Sequence, residues 1–491
     1  MSSTQQAAVL ARVEGATIDG RLRILRIRQK QFLALHQALV AHREAFLQAI
    51  KEDDGYSDKE AKIIIASALI EVRNHYDALD FKTDLEKEYS LAKNKSNEDR
   101  RVPLGIAYII ADRFTTFYSV VSALSAALEA GACVVVELEN TLRKTPALLK
   151  QVLTDALDKD AFGFVSSRAP AEYLAQCVVV DQTGTVDSLS AQRVLTSPLH
   201  RNVALVDRTG NVALAAKEIV ASSMVFKGAS RYAVDLVMVN EFVFDKLTAA
   251  LNQELINATK TTGFSFAALQ SGKGRSSTKT TDKNLLQAEI ANGRAATVIG
   301  TPDGGIAQVV DRKSTLMNSK RSFPSIVVCK YTSLDDAIEV LNPGAEKPTP
   351  IAAFYLFTGP REAKYFSHSI NSQVNYINHI PSQLTVGPTV ALGYPTDLKW
   401  RYTRAMFEMP SPQVMPPPKP HMVSTVFQEA DHIDQIAQRP LKPTGQPVAG
   451  AWGFFEQGIW LGALVYVLPL ISLSTFGVGY AAWKGYQRLS L

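Results

Sequence analysis

Cysteine is scarce in this sequence: Cys133, Cys177 and Cys329 are the only three in 491 residues, and they lie far apart. No CxxC pair and no Cys/His ligand spacing occurs. A disulfide scaffold and a structural metal site are therefore excluded, and the thiols read as reduced core residues of a cytosol-facing protein. Excess charge of one sign is also missing. The formal charge is +5, with no long basic run and no aromatic-basic interleave, so nucleic acid is not an expected partner. Residues 1–15 are short, polar and mixed, without the apolar core of a signal peptide. One stretch lacks charge altogether: no charged residue occurs between Glu456 and Lys484.

What is present is an ordinary globular composition, 46% hydrophobic and 20% charged, in a chain long enough for two or more packed domains. Apolar residues recur at helical spacing from Ile18 to Lys51, predicting one long amphipathic helix or two joined, ending at Glu52-Asp53-Asp54-Gly55. Ser57 opens a second helix from Asp58 to about Leu79. The texture then changes. Val102–Ile110 reads as a buried strand, Ser119–Ala130 as a helix and Ala132–Val136 as a strand; helix Lys144–Leu157 and strand Cys177–Val180 follow. That alternation predicts a parallel α/β sheet. It resumes with strand Val203–Val206, helix Ala213–Val225, strand Leu236–Val239 and helix Glu241–Leu255. Ser271–Asp282 reads as a mobile loop. Strands Ser325–Cys329 and Ile351–Phe357 follow, with helices Leu334–Leu341 and Arg361–Ile370. Beyond Met409 lie a proline-rich stretch, Pro410–Pro420, and a polar segment to Ala449.

Several blocks, in order, resemble the aldehyde dehydrogenase superfamily, in particular the shorter class that includes membrane-anchored fatty aldehyde dehydrogenases. They are Pro103-Leu-Gly105, the crossover end Ala127-Leu-Glu-Ala-Gly-Ala-Cys133, Asn202-Val-Ala-Leu-Val-Asp207 and Gly228-Ala-Ser-Arg-Tyr-Ala233. Ser322-Phe-Pro-Ser325, Phe354-Tyr-Leu-Phe357 and Asn375-Tyr-Ile-Asn378 complete the set. The resemblance covers roughly residues 18 to 412. It implies N-terminal helices with a Rossmann-type cofactor domain over 1–190 and a catalytic-type α/β domain over 191–392. It further implies a small β bridging extension near 83–101 and 393–412 that supports a homodimer. A Pro-rich linker, 413–457, and a transmembrane segment, 458–483, follow.

The chemistry such a family performs needs a thiolate nucleophile, an amide to hold the oxyanion and a carboxylate to activate water. The resemblance places Arg231 where the family has its cysteine, Phe114 at the oxyanion asparagine and Ser197 at the general-base glutamate. None supplies the missing chemistry, since a guanidinium stays protonated and a phenyl ring donates no hydrogen bond. Losing the nucleophile alone costs a covalent enzyme on the order of 10⁴ to 10⁶ in rate. Two cofactor positions are reversed in charge as well: Glu137 stands for the lysine that bonds the adenine ribose, and Lys320 for the glutamate that grips the nicotinamide ribose. The family's Gly-Ser phosphate turn is only echoed in Gln182-Thr-Gly-Thr185. No metal is expected, and no cofactor. Arg113 and Arg231 form a candidate anion site, against the simpler reading of a salt-bridged plug. Ser230 has no base within sequence reach, and His200, His368, His379 and His421 read as surface or core residues.

Gly458–Trp483 is long enough to span about 30 Å of hydrocarbon as a helix. Its Leu, Ile, Val and Phe residues favour insertion by roughly 3 to 7 kcal/mol before Gly, Ser and Pro469 offset part of it. Trp460, Trp483, Tyr480 and Tyr486 suit interfacial belts. The expectation is a pseudoenzyme held by a C-terminal anchor, at the endoplasmic reticulum with its domains in the cytosol. It would serve as a binding or scaffolding partner, with a protein partner at the membrane, in a lipid or hydrophobic-metabolite pathway. The alternative is a divergent oxidoreductase acting on an apolar aldehyde or related metabolite with NAD(P).

Overall fold

The structure is a computed structural model. It describes residues 3–93, 95–96, 100–184, 191–262, 277–301, 304–342, 350–411, 423, 426–442, 445 and 454–489. They fall into two units, 1–416 and 417–491.

The first unit opens with a helical layer: α1 (Ser3–Ile18), α2 (Leu25–Ala41), α3 (Arg43–Asp54), α4 (Asp58–Asp77) and α5 (Phe81–Glu88). The long helix expected over 18–51 is therefore two, α2 and α3, which meet at His42. The polar N-terminus is itself a helix, because Val9, Val13 and Ala16 fall on one face and bury it. Ser57 caps α4 through a capping box with Glu60, as the Ser-x-x-Glu spacing dictates. Of the bridging strand expected near 83–101, residues up to Glu88 belong to α5 and 91–93 form a short 3-10 turn, and among the described residues only Arg101 enters a strand. The Asp80 carboxylate accepts from the Lys82 and Thr83 amides and starts α5, whose Phe-Lys-Thr-Asp-Leu-Glu-Lys-Glu sequence favours helix.

Extended backbone begins at β1 (Arg101–Pro103) and, past Gly105 with φ of 94°, resumes as β2 (Ile106–Ile110). The expected strand Val102–Ile110 is thus split between two sheets. After β2 come α6 (Thr116–Ala130), β3 (Cys133–Glu137), α7 (Lys144–Ala156), β4 (Phe162–Val165), α8 (Ala171–Leu174), β5 (Cys177–Asp181) and β6 (Arg193–Thr196). These strands make an all-parallel sheet in the order β4-β3-β2-β5-β6, with Ile106 set between Cys133 and Cys177. Inclusion of β6 carries this layer past the boundary expected at residue 190. Every residue of α6 is buried, and its sequence is apolar or small all round except for Tyr118 and Glu129.

The second sheet follows, built from β7 (Arg201–Val206), α9 (Val212–Met224), β8 (Leu236–Asn240), α10 (Phe244–Thr262) and α11 (Ser277–Ala291). Strands β9 (Ala295–Thr301), β10 (Gly304–Val309) and β11 (Ser325–Tyr331) lead to α12 (Leu334–Leu341), β12 (Ile351–Phe357), α13 (Pro360–Ser369) and β13 (Ser372–Ile377). Strand order is β13-β12-β7-β8-β11-β10-β9, parallel except for antiparallel β9. The loop expected at Ser271–Asp282 lies partly outside the described residues, and from Ser277 onward it is helix α11. Finally β14 (Glu408–Pro410) pairs antiparallel with β1, Val102 opposite Met409, as a two-stranded ribbon. This ribbon is all of the bridging extension that is strand among the described residues.

A buried polar network ties α4 and α6 to residues 400–402. Tyr118 donates to Glu71 at 2.7 Å, and the Arg401 amide donates to the same carboxylate oxygen at 2.6 Å. Burial pushes the Glu71 carboxyl upward, against the pull of His75, Tyr118 and Arg401. His75 Nδ1 lies 2.6 Å from Glu129 Oε2, and Trp400 packs on the imidazole with ring centroids 5.1 Å apart.

The second unit holds a short helix, α14 (Ala430–Ala437), within the segment expected to be a linker. It also holds α15 (Phe454–Gly462) and α16 (Leu468–Leu489), joined by a π-helical turn at Ala463–Val467. The turn lies just before Pro469, which has no amide to donate into the helix. Ser472 and Thr475 hydroxyls donate to the Leu468 and Ile471 carbonyls at 2.5 and 2.8 Å, so they present no unmatched polar atom. Glu456–Gln487 is long and apolar enough to cross a membrane by length and composition, with mean hydropathy 1.9 over an 18-residue stretch within it. The Pro410–Pro420 stretch and His421 lie largely outside the described residues.

Candidate functional site

Helix α9 ends in a tight turn, Val225–Gly228, whose backbone is left-handed three times running: Phe226 at φ 52°, Lys227 at 55° and Gly228 at 73°. Such values cost an L side chain roughly 1 to 2 kcal/mol each. At 228 only glycine fits, because a Cβ there would stand 2.6 Å from the Pro324 nitrogen. The turn is held in place. The Phe226 amide donates to Glu60 Oε1 at 2.7 Å, and the fully buried Phe226 ring packs edge-on against Tyr56 at 5.3 Å and Phe114 at 5.8 Å.

This turn delivers Arg231 to the end of β2. Its Nε and Nη2 donate to Asp112 Oδ2 and Oδ1, both at 2.7 Å, in a bidentate pair. The guanidinium lies 5.9 Å from the Phe114 ring centroid. Asp112 also accepts from the Phe114 amide at 3.1 Å, and its own amide donates to Gln182 at 3.2 Å. Arg231 and Phe114, the residues that the resemblance aligns with nucleophile and oxyanion donor, thus lie together, with Arg231 ion-paired to Asp112 and the Phe114 ring beside it. Arg113 is exposed, and its carbonyl accepts from Thr116 and Arg143. Of the two members of the candidate anion site, Arg231 already has a carboxylate matched to it.

The remaining positions are equally committed. Ser230 is buried and donates to the Thr385 carbonyl at 2.8 Å. Ser197 is buried with its hydroxyl 3.3 Å from that of Tyr402, while its amide bonds the Asp181 carbonyl. Lys320 donates to Asp235 Oδ2 at 2.9 Å and to the Ala233 carbonyl at 3.3 Å; burial holds its ammonium below the usual lysine range. Asp235 also takes the amides of Asn202 at 2.7 Å and Arg321 at 2.8 Å. Glu137 accepts from Tyr108 and Arg168, both at 2.7 Å.

A dinucleotide fits these residues poorly. Glu137, expected at the adenine ribose, is a carboxylate already bonded twice, and Lys320, expected at the nicotinamide ribose, is an ammonium held by Asp235. The expected phosphate turn is spent internally: Gln182 donates to the Ser119 carbonyl at 2.7 Å, and a Cβ on Gly184 would stand 2.8 Å from the Ser197 carbonyl. Thr185 lies outside the described residues. Only residues 182–192 join the parallel strands β5 and β6.

Cys133, Cys177 and Cys329 sit in β3, β5 and β11, all buried. Burial raises each thiol, Cys177 up to about 12, so none forms a thiolate at neutral pH. Among the described residues no group of three or more His, Cys, Asp or Glu could hold a metal ion.

Sequence reading missed Asp112, Asp235, Tyr108, Arg168, Tyr402 and Phe226, the groups that satisfy or cover the altered positions. A usable signal existed for Asp112 alone, which follows β2 at the carboxyl end of a parallel strand, where α/β sites form.

The model sequence of the aldehyde dehydrogenase family matches residues 21–382. Among solved structures, the chain is similar to Staphylococcus aureus AldH in a substrate-bound state: 16% identity over 89% of this chain and 100% of that one, TM-score 0.68. A NAD-dependent aldehyde dehydrogenase from Sinorhizobium meliloti gives 14% identity over 86% and 89% of the two chains, TM-score 0.65. The glyceraldehyde-3-phosphate dehydrogenase GapN of Methanocaldococcus jannaschii, complexed with NADP, gives 12% over 84% and 94%, TM-score 0.63. At such identities the likeness is one of fold. No curated protein matches the sequence.

Proposed function

The chain belongs to the aldehyde dehydrogenase family, and from that premise we propose that it is a pseudoenzyme, a membrane-anchored frame that binds partners and does not oxidise aldehydes. The single observation that carries this reading is the Arg231–Asp112 pair, which occupies the nucleophile's turn with a group that cannot attack a carbonyl. Ser197 and Phe114 support it, since neither activates water or holds an oxyanion. The poor fit of Glu137 and Lys320 to a dinucleotide supports a protein that works without NAD(P).

The anchor reading rests on Glu456–Gln487. As a helix its 32 residues measure about 48 Å, enough for the hydrocarbon core and part of both headgroup layers. The Trp483 and Tyr480 rings, 6.1 Å apart, and Lys484 suit one interface. The endoplasmic reticulum is the membrane to test first, by fractionation. A homodimer is part of the same proposal. Edge strand β13 carries neither charge nor proline, and the β1–β14 ribbon leaves Met409 41% exposed.

Calorimetric titration of the detergent-purified chain with NAD and NADP, beside an assay with long-chain aldehydes, tests the function. No heat of binding and no turnover are expected. Saturable cofactor binding with aldehyde oxidation would establish the oxidoreductase alternative.

A further inference from the structure

Two neighbouring helices of the first unit expose aliphatic side chains in register. Leu33 and Val40 on α2 are 57% and 46% exposed, and Ile63 and Ile70 on α4 are 46% and 58% exposed. Members of each pair are seven residues apart, two turns, so each pair marks one stripe along its helix. The opposite face is buried on both helices, through Phe32, Leu35 and Leu39 on α2 and Ile64, Ala68 and Val72 on α4. The helices touch through Phe32 and Tyr76, 6.3 Å between centroids, and both pack on α6, so the stripes share one outer face. Scattered surface aliphatics are ordinary, but four large ones on one face are not.

The same stripes carry cations. Arg26 and Lys30 precede Leu33 at helical spacing, and Lys59 and Arg73 flank Ile63 and Ile70; all four are exposed. Along these two stripes the sole acidic residue is Asp77, at the end of α4. Arg26 lies over the ring of Phe81, 5.3 Å from its centroid, and that ring, 40% exposed, extends the apolar area onto α5. A second copy of this face would set cations against cations. An anionic lipid surface suits it better, since aliphatic side chains enter the headgroup boundary while Lys and Arg meet phosphate.

We propose that the outer face of α2 and α4 is a peripheral membrane contact that lies on anionic lipid. The inference builds on the anchor reading above, because a tethered protein samples that surface continuously. It assigns the first unit an orientation, with Leu33 and Ile70 against the bilayer.

The test uses the full chain carrying Leu33→Cys or, in a second preparation, Ile70→Cys, labelled with an environment-sensitive fluorophore. The three native cysteines are buried and stay unlabelled. Phe242→Cys, on an exposed turn of the other sheet, serves as the control. Flotation with phosphatidylcholine vesicles reports the tail alone; quenching by nitroxide lipid reports the face. Expected are flotation with both vesicle types and quenching at 33 and 70 only when phosphatidylserine is present. That quenching is lost at high salt and in Lys30→Glu/Arg73→Glu, whereas position 242 is never quenched. Flotation without quenching at 33 and 70 overturns the proposal and leaves the anchor standing. Equal quenching in neutral vesicles overturns the charge argument, and a fluorophore shift before vesicles are added shows that protein covers the face instead. Failure to float with neutral vesicles sinks the anchor reading, independently of the quenching result with phosphatidylserine.

Discussion

Arg231 and Asp112 lie 119 residues apart in sequence and meet through two parallel 2.7 Å hydrogen bonds, with the Asp112 side chain 4% exposed and that of Arg231 18%. The pair joins the turn after α9 to the end of β2, so it locks one sheet layer to the other. Arg231→Cys therefore restores a thiol but strands a buried carboxylate, at a cost on the order of 3 kcal/mol. Urea denaturation should detect that loss, and aldehyde turnover should stay at background. Arg231→Met/Asp112→Leu should recover most of the stability, because both charges leave together. A single variant that oxidises aldehydes would contradict the assignment.

The consecutive left-handed residues at 226 and 227 make a contrasting prediction. Lys227→Gly removes one strained Cβ and should raise stability by about 1 kcal/mol, the relief outweighing glycine's extra chain entropy. Phe226→Gly removes comparable strain but also the ring that fills the space between Tyr56 and Phe114, so it should destabilise by about 3 kcal/mol. If both substitutions act in the same direction in thermal melts, the turn does not carry the strain assigned to it.

Ser197→Glu, which places a carboxylate where the resemblance expects one, should be poorly tolerated. Ser197 is buried against Tyr402, and no cation is bonded there. An ionised side chain placed there costs several kcal/mol or leaves the site neutral. The expected reading is a lowered melting temperature that recovers in part as pH falls.

Glu71 supplies a pH signature. Burial raises its carboxyl above the unfolded value of about 4.3. A raised folded value contributes stability that is complete below the unfolded pKa and is lost as pH rises through the folded one. Glu71→Gln keeps an acceptor for Tyr118 and the Arg401 amide but removes the ionisation. Urea midpoints of wild type minus variant should therefore fall as pH rises above the carboxylate range. A constant difference would show that this carboxyl is not perturbed.

Much of the fold is legible in the sequence because its buried parallel strands are apolar runs with few rivals. Cys133–Val136, Val203–Val206 and Ile351–Phe357 stand out by composition alone. Strands β6, β9 and β10 do not, since Arg193-Val-Leu-Thr196 is short and half polar, and Ala295–Val309 is broken by glycines. Helix α1 is less legible for a different reason: its apolar face is short, Val9, Leu10, Val13 and Ala16, and is set in a polar segment. At the candidate site, Arg231, Phe114, Ser197, Glu137 and Lys320 are visible in the sequence but their partners are not. Asp112 and Arg231 come together only through tertiary contact, as do Lys320 and Asp235. The left-handed turn at Phe226 breaks local preference, and so no propensity foretells it.

The Lys320–Asp235 pair bears on the history open to this chain. A glutamate returning at 320 would face Asp235, which is already fixed by the amides of Asn202 and Arg321. Two carboxylates so placed repel, and Asp235 cannot leave without freeing both amides. A Lys320→Glu chain is therefore expected to be less stable than the parent. The pair acts as a one-way constraint: selection for folding alone disfavours an acidic residue at 320.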